Sequence, residues 1–104
     1  MQPLVFEAVA DPTRRALLDR LRSHDALSLS ALADGQPMSR QAVAKHLGVL
    51  TQAGLVTTWR RGRERMHALD PAPLRQLDSW LAPYAAAWDR RLARLKRHLE
   101  DPDR

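Results

Sequence analysis

The chain has 104 residues, 44% of them apolar and 28% charged, a composition that fits one globular domain spanning 1–104 and excludes a disordered or fibrous chain. It has no cysteine, which excludes disulfides, cysteine-based zinc sites and thiol catalysis, and no apolar run of membrane-spanning length. The formal net charge is +5, and its position is more telling than its size. Residues 39–65 hold six basic side chains (Arg40, Lys45, Arg60, Arg61, Arg63, Arg65) and one acid, Glu64, while the rest of the chain balances at eleven of each. A quarter of the chain therefore carries all the excess, which is the footprint expected on a polyanion.

At the N-terminus Leu4, Val5, Ala8 and Val9 recur at helical spacing and predict a short helix over 2–10. Asp11-Pro12 restarts the chain, with Asp11 as N-cap, Pro12 at the first helical position and Ala16, Leu17, Leu18 and Leu21 as the apolar face. That helix should end within 23–26. Ser28 caps a third, short helix bearing Leu29, Leu32 and Ala33, which stops at the breaker cluster Asp34-Gly35-Gln36-Pro37. Ser39 caps a fourth, in which Val43, Leu47 and Leu50 form one stripe and Gln41, Ala44, Lys45, Gly48 and Gln52 the opposite face, with Arg40 on the flank. A helix whose outer face is short, polar and basic can enter a groove of a nucleic acid.

Gly54 is placed to end the fourth helix in the left-handed conformation. Residues 55–60 and 65–69 read as strands joined by the hairpin Arg61-Gly62-Arg63-Glu64, whose tip is a cluster of arginines. After Asp70-Pro71, the residues Leu74, Leu77, Leu81, Tyr84, Trp88, Leu92, Leu95 and Leu99 recur in steps of three and four, nearly a coiled-coil seam. So long a stripe exceeds what a small domain needs to cover itself, so part of it should meet a second copy. Pro83 predicts a kink or break near Ala82.

The resulting order is helix, helix, helix-turn-helix, two-stranded wing and long helix. This is a mainly α, winged helix-turn-helix plan, in which the second helix of the turn lies in the major groove and the basic hairpin lies along the backbone. The residues expected at double-stranded DNA are Ser39, Arg40, Gln41, Ala44, Lys45 and His46 from the helix, and Arg60, Arg61, Arg63 and Arg65 from the wing. Arginine, lysine and glutamine suit base edges, whereas wing arginines mostly suit phosphates. His46, beside the apolar stripe, is a candidate phosphate contact. The acids are scattered and no glycine-rich phosphate loop is present, so no enzyme activity and no cofactor are expected.

Three runs also look familiar together: Ala10-Asp11-Pro12-Thr13-Arg14-Arg15, Met38-Ser39-Arg40-Gln41-Ala42-Val43-Ala44-Lys45-His46-Leu47 followed by Ala53-Gly54-Leu55-Val56, and Arg61-Gly62-Arg63-Glu64. Over nearly its whole length the chain resembles the arsenic-repressor-like (ArsR/SmtB) family of bacterial regulators. Its tail, from Leu69-Asp70-Pro71 through Leu77-Asp78-Ser79-Trp80-Leu81 to Trp88, resembles the branch that lacks metal ligands.

The resemblance implies a homodimer, an operator with two inverted half-sites, and repression relieved by some signal. The protein itself is expected in the cytoplasm, from the lack of a membrane-spanning run and of a basic-then-apolar N-terminal pattern. The expected dimer surface is made by 1–10 and 71–99, through Leu4, Val5, Trp80, Leu81, Tyr84, Trp88, Leu92 and Leu95. Metal sensors of the family carry two cysteines where this chain has Ser28 and Ser30, and their other site uses histidines on the last helix, which here holds only His98. Hydroxyls are poor ligands beside thiolate and imidazole, so no metal site is expected. His24 falls in a loop and His67 in a strand. Two other readings share the pattern, a winged helix that binds protein and a switch gated by metal or ligand through an unfamiliar site.

Overall fold

A computed structural model describes residues 3–100. It contains α1 (Pro3–Val9), α2 (Pro12–Arg22), β1 (Leu27–Ser28), α3 (Leu29–Ala33), α4 (Arg40–Gln52), β2 (Val56–Arg61), β3 (Glu64–Leu69) and α5 (Leu74–Glu100). The expected helix start at Gln2 lies outside the described residues.

Local chemistry accounts for the helix ends. Asp11 accepts from the Arg14 amide at 3.0 Å, Ser28 from the Ala31 amide at 3.1 Å and Ser39 from the Ala42 amide at 3.1 Å. Each side chain satisfies a first-turn donor that has no partner within its helix. At the other end of α4 the Leu55 amide donates to the Leu50 carbonyl and the Gly54 amide to the Thr51 carbonyl, both at 3.0 Å. Gly54 has a φ of 80°, the left-handed value that this paired closure requires. Leu50 and Leu55, which flank the closure, are both fully buried.

Leu17, Leu21, Leu32, Val43, Leu47, Leu50 and Leu55 form the centre of one core into which α1, α2, α3, α4 and the base of the hairpin all pack. Truncating any one of the leucines to alanine would cost about 2 to 5 kcal/mol. The α4 stripe is therefore held inward by the core, which fixes the direction of its opposite face.

One expectation needs correction: the wing is part of a three-stranded antiparallel sheet in the order β1-β3-β2, because Leu27 and Ser28 pair with His67 and Met66. Of the kink or break expected at Pro83, the break does not occur, since α5 is continuous through it. A proline costs an exposed helix one internal hydrogen bond, and 27 residues of otherwise good helix formers carry the helix past it. Leu74 and Leu77 lean on the core, and no residue of α5 is buried.

Candidate nucleic-acid interface

The hairpin turns at Gly62-Arg63 between paired Arg61 and Glu64. Gly62 has a φ of 64° and no other residue type among those described has a positive φ, which matches the two-residue turn with glycine first and suits the twist of the flanking strands. Strand alternation then divides the wing into two faces. Thr58, Arg60, Arg65 and His67 share one side, whereas Arg61 is paired with Glu64 on the other.

The first of these faces looks onto the outer face of α4. Between them lies an open groove of about 550 Å³ whose walls include Arg40, Ala44 and Gly48 from α4 and Arg60, Arg63 and Arg65 from the wing. None of its lining residues is acidic. Arg60 stands directly opposite Arg65 on the ladder, a like-charge pair that repels unless an anion comes between. A β-carbon built on Gly48 would meet nothing within 4 Å, so internal packing does not demand glycine there. With Ala44 one turn earlier, Gly48 keeps the α4 surface low where another molecule would approach. The amides of the α4 first turn add partial positive charge at one end.

Of the expected DNA-facing residues, the groove thus gathers Arg40, Ala44, Arg60, Arg63 and Arg65. Gln41 and Lys45 are exposed on α4, Arg61 is exposed on the opposite face of the wing, and Ser39 is exposed at the start of α4 with its hydroxyl engaged as the cap. His46 lies beside the apolar stripe, at the flank position its spacing gives it. Its ring is half-buried and turned back toward α2, with Nδ1 3.4 Å from the Arg14 guanidinium and 3.9 Å from the Asp11 carboxylate. The Asp11 carboxyl is held below its ordinary range, chiefly by the Arg14 amide that it accepts. His46 follows the α4 stripe too closely to share its outer face, and sequence spacing alone did not reveal the guanidinium waiting there.

The groove also contains a residue that the pattern of charge does not single out. His67 is 5% exposed, its Nδ1 has no hydrogen-bond partner, and burial pushes its pKa below the ordinary histidine value, with Arg65 adding to the effect and a Leu27 backbone contact opposing it. Strict alternation from Arg65 to His67 was the signal that could have placed it there.

Apart from the groove, α5 and α1 present a second surface. Leu4, Trp80, Leu81, Tyr84, Trp88, Leu92 and Leu95 are all exposed. Phe6 meets Trp80 edge to face at 5.6 Å between ring centroids, and Trp80 meets Tyr84 at 5.0 Å. Val5 is corrected: at 0% exposure it belongs to the core of its own protomer, because α1 packs on that core through Val5 and Ala8, one turn apart on the same side. Ser28 spends its hydroxyl as a helix cap, and among the described residues no group of three His, Asp or Glu side chains is placed to hold a metal. No helix among the described residues is long and apolar enough to cross a membrane.

A recognition-type helix and a basic hairpin facing each other across an acid-free groove define a winged helix-turn-helix DNA-binding protein. The helix-turn-helix domain family matches residues 9–58. The chain is 40% identical over 79 residues to the HTH-type transcriptional regulator YuzN of Bacillus subtilis, covering 70% of this chain and 86% of that one. It is 31% identical over 77 residues to the transcriptional repressor SdpR of the same organism, covering 74% and 84%. An ArsR-like transcriptional regulator from Rhodococcus sp. RHA1 superposes with a TM-score of 0.72 at 40% identity, over 95% of this chain and 90% of that one. The chain belongs to the helix-turn-helix transcriptional regulators of the ArsR family.

Proposed function

We propose that this regulator is a homodimeric repressor that occupies an operator of two inverted half-sites and so blocks a promoter. The observation that carries the DNA-reading part is the acid-free groove between α4 and the wing, walled by Arg40, Arg60, Arg63 and Arg65. In this reading Arg40, Gln41 and Lys45 reach base edges in the major groove. The first-turn amides beyond Ser39 meet a phosphate, and the wing arginines follow the backbone.

The dimer is supported by the exposed aromatic and leucine stripe on α5, with Leu4 beside it, a larger apolar surface than monomers usually leave in water. Repression is supported by the likeness to SdpR, which is named a transcriptional repressor. The protein acts in the cytoplasm, catalyses no reaction and needs no metal or cofactor.

The test is selection of bound duplexes from a random library with the full chain. The expected product is an inverted repeat whose half-sites lie about 10 base pairs apart, or a multiple of that, centre to centre. Recovery of a single, unrepeated site, or of no enriched sequence, would count against it.

A further inference from the structure

The groove between α4 and the wing contains a group that base reading and backbone tracking leave unused. His67 lines it together with Arg60 and Arg65, is nine-tenths buried, and keeps Nδ1 away from solvent with no partner. Native folds rarely leave a buried polar atom unsatisfied, because it has given up water for nothing. On the same face, Arg60 and Arg65 are set directly against each other across the ladder, and Arg40 approaches from α4 without an acid among the lining residues. Cations held together without a counter-charge, beside an imidazole that has only the Leu27 backbone near it and no side-chain partner, suit one ligand type, a compact oxyanion.

We propose that this part of the groove is a discrete oxyanion site, in which a phosphate group sits between Arg60 and Arg65 and accepts a hydrogen bond from the His67 imidazole. The site takes its setting from the DNA-binding reading but names a residue and a chemistry that reading does not require. The phosphate is either one of the DNA backbone or that of a free phosphate compound, and a free one seated there shuts the duplex out.

The polar and charged groups that line the groove with His67 are Arg65 on its own strand, Arg63 in the hairpin turn, Arg60 and Thr58 on β2, and Arg40 and Thr51 on α4, with the Leu27 backbone on β1 beside the ring. In the free protein, burial and Arg65 favour the neutral ring. A phosphate reverses that balance by offsetting the arginines and offering an acceptor, so its binding takes up a proton and strengthens as pH falls.

The experiment follows the imidazole signals of the full-length chain by nitrogen-15 NMR. Inorganic phosphate is added without DNA and, separately, a random-sequence duplex without phosphate. A saturable change at His67, absent from exposed His24 and His98, is the expected result, with affinity rising between about pH 7.5 and about pH 6. His67→Gln should weaken phosphate binding about tenfold, and Arg60→Gln, on an exposed strand position, should abolish the His67 response with the fold intact. A response to the duplex alone assigns the site to backbone phosphate; a response to both, with phosphate displacing the duplex, assigns it a competing free ligand. Silence of His67 toward both while the duplex still binds overturns the proposal and leaves DNA binding standing. A His67 response to phosphate in a chain that binds no duplex supports the oxyanion site and overturns the DNA reading instead.

Discussion

Arg14 and His46 stand 3.4 Å apart, guanidinium Nη1 to imidazole Nδ1, across the gap between α2 and α4. Arginine can only donate, so in this contact Nδ1 is the acceptor. The same guanidinium donates to the carbonyls of Ala8 and Glu7 at 2.8 Å each, where a cation also suits the negative end of α1. One side chain thus joins the last turn of α1, the start of α2 and the middle of the helix that faces the groove.

Arg14→Ala should therefore destabilise the fold by about 2 kcal/mol, the scale of lost hydrogen bonds to a charged group. Urea unfolding of variant and parent measures it. Arg22→Ala, whose side chain is exposed, serves as the comparison and should lie within about 0.5 kcal/mol of the parent. Equal midpoints for all three proteins would show that the α1–α2–α4 joint contributes nothing.

The His67 pKa is depressed in the folded chain relative to its ordinary value of 6.5. In the window below 6.5 the unfolded chain binds the proton that the folded chain resists, so stability falls as pH drops through that window and is complete above it. His67→Gln should flatten this part of the profile. A parent chain whose stability is constant from pH 7.5 down to about pH 5 would contradict the assignment.

Arg60, Arg63 and Arg65 line the groove, whereas Arg61 lies across from Glu64 on the other face. Removing Arg60 or Arg65 should weaken binding to every duplex alike and lower the log-log salt slope by about 1 per lost phosphate contact, or about 2 when a dimer loses it twice. Arg61→Ala should change the slope less. Removing Arg40 or Gln41 should cost about 1 to 3 kcal/mol on a selected operator and little on random DNA. Titrations of each variant on both duplexes at several salt concentrations separate the roles. Wing variants that lose operator binding alone would reverse them.

Leu92 and Leu95 are 45% and 54% exposed in the protomer. Changing both to glutamate should yield monomer, or insoluble chain if the helix cannot stand alone, while the parent sediments as a dimer. A well-behaved parent monomer at micromolar concentration, on the order of 10 μM, would end the dimer reading.

Zinc and arsenite should leave DNA affinity unchanged beyond ionic strength effects, because Ser28 and Ser30 offer hydroxyls, and the Ser28 hydroxyl is already engaged by the Ala31 amide. Release of the duplex by a stoichiometric metal would contradict this.

The elements that were legible in the sequence are those with local causes. Asp11, Ser28 and Ser39 announce caps, Gly54 announces a left-handed stop, and Val43, Leu47 and Leu50 announce which side of α4 turns inward. What escaped depends on distant partners. Two residues, Leu27 and Ser28, are too few for any periodicity and become a strand only because β3 passes beside them. Val5 looks like Leu4 in sequence, yet one is fully covered and the other 46% exposed. His46 needs Arg14 of another helix to explain its direction, and the sorting of Arg60 from Arg61 follows from a strand register that charge counting ignores.

The length of α5 has a further, mechanical consequence. At 1.5 Å per residue its 27 residues make a rod of about 40 Å, and its first part leans on α1, where Phe6 meets Trp80 edge to face. A rod supported near one end is a lever: from Trp80 to the far tip is about 30 Å, so each degree of tilt at that contact moves the tip by about 0.5 Å. In the proposed dimer the two levers set how far apart the recognition helices stand, so trimming Phe6 or Trp80 should alter the preferred distance between half-sites more than the preferred bases within them. The ring pair then acts as the instrument's gauge, remote from DNA yet deciding which spacing is measured as correct.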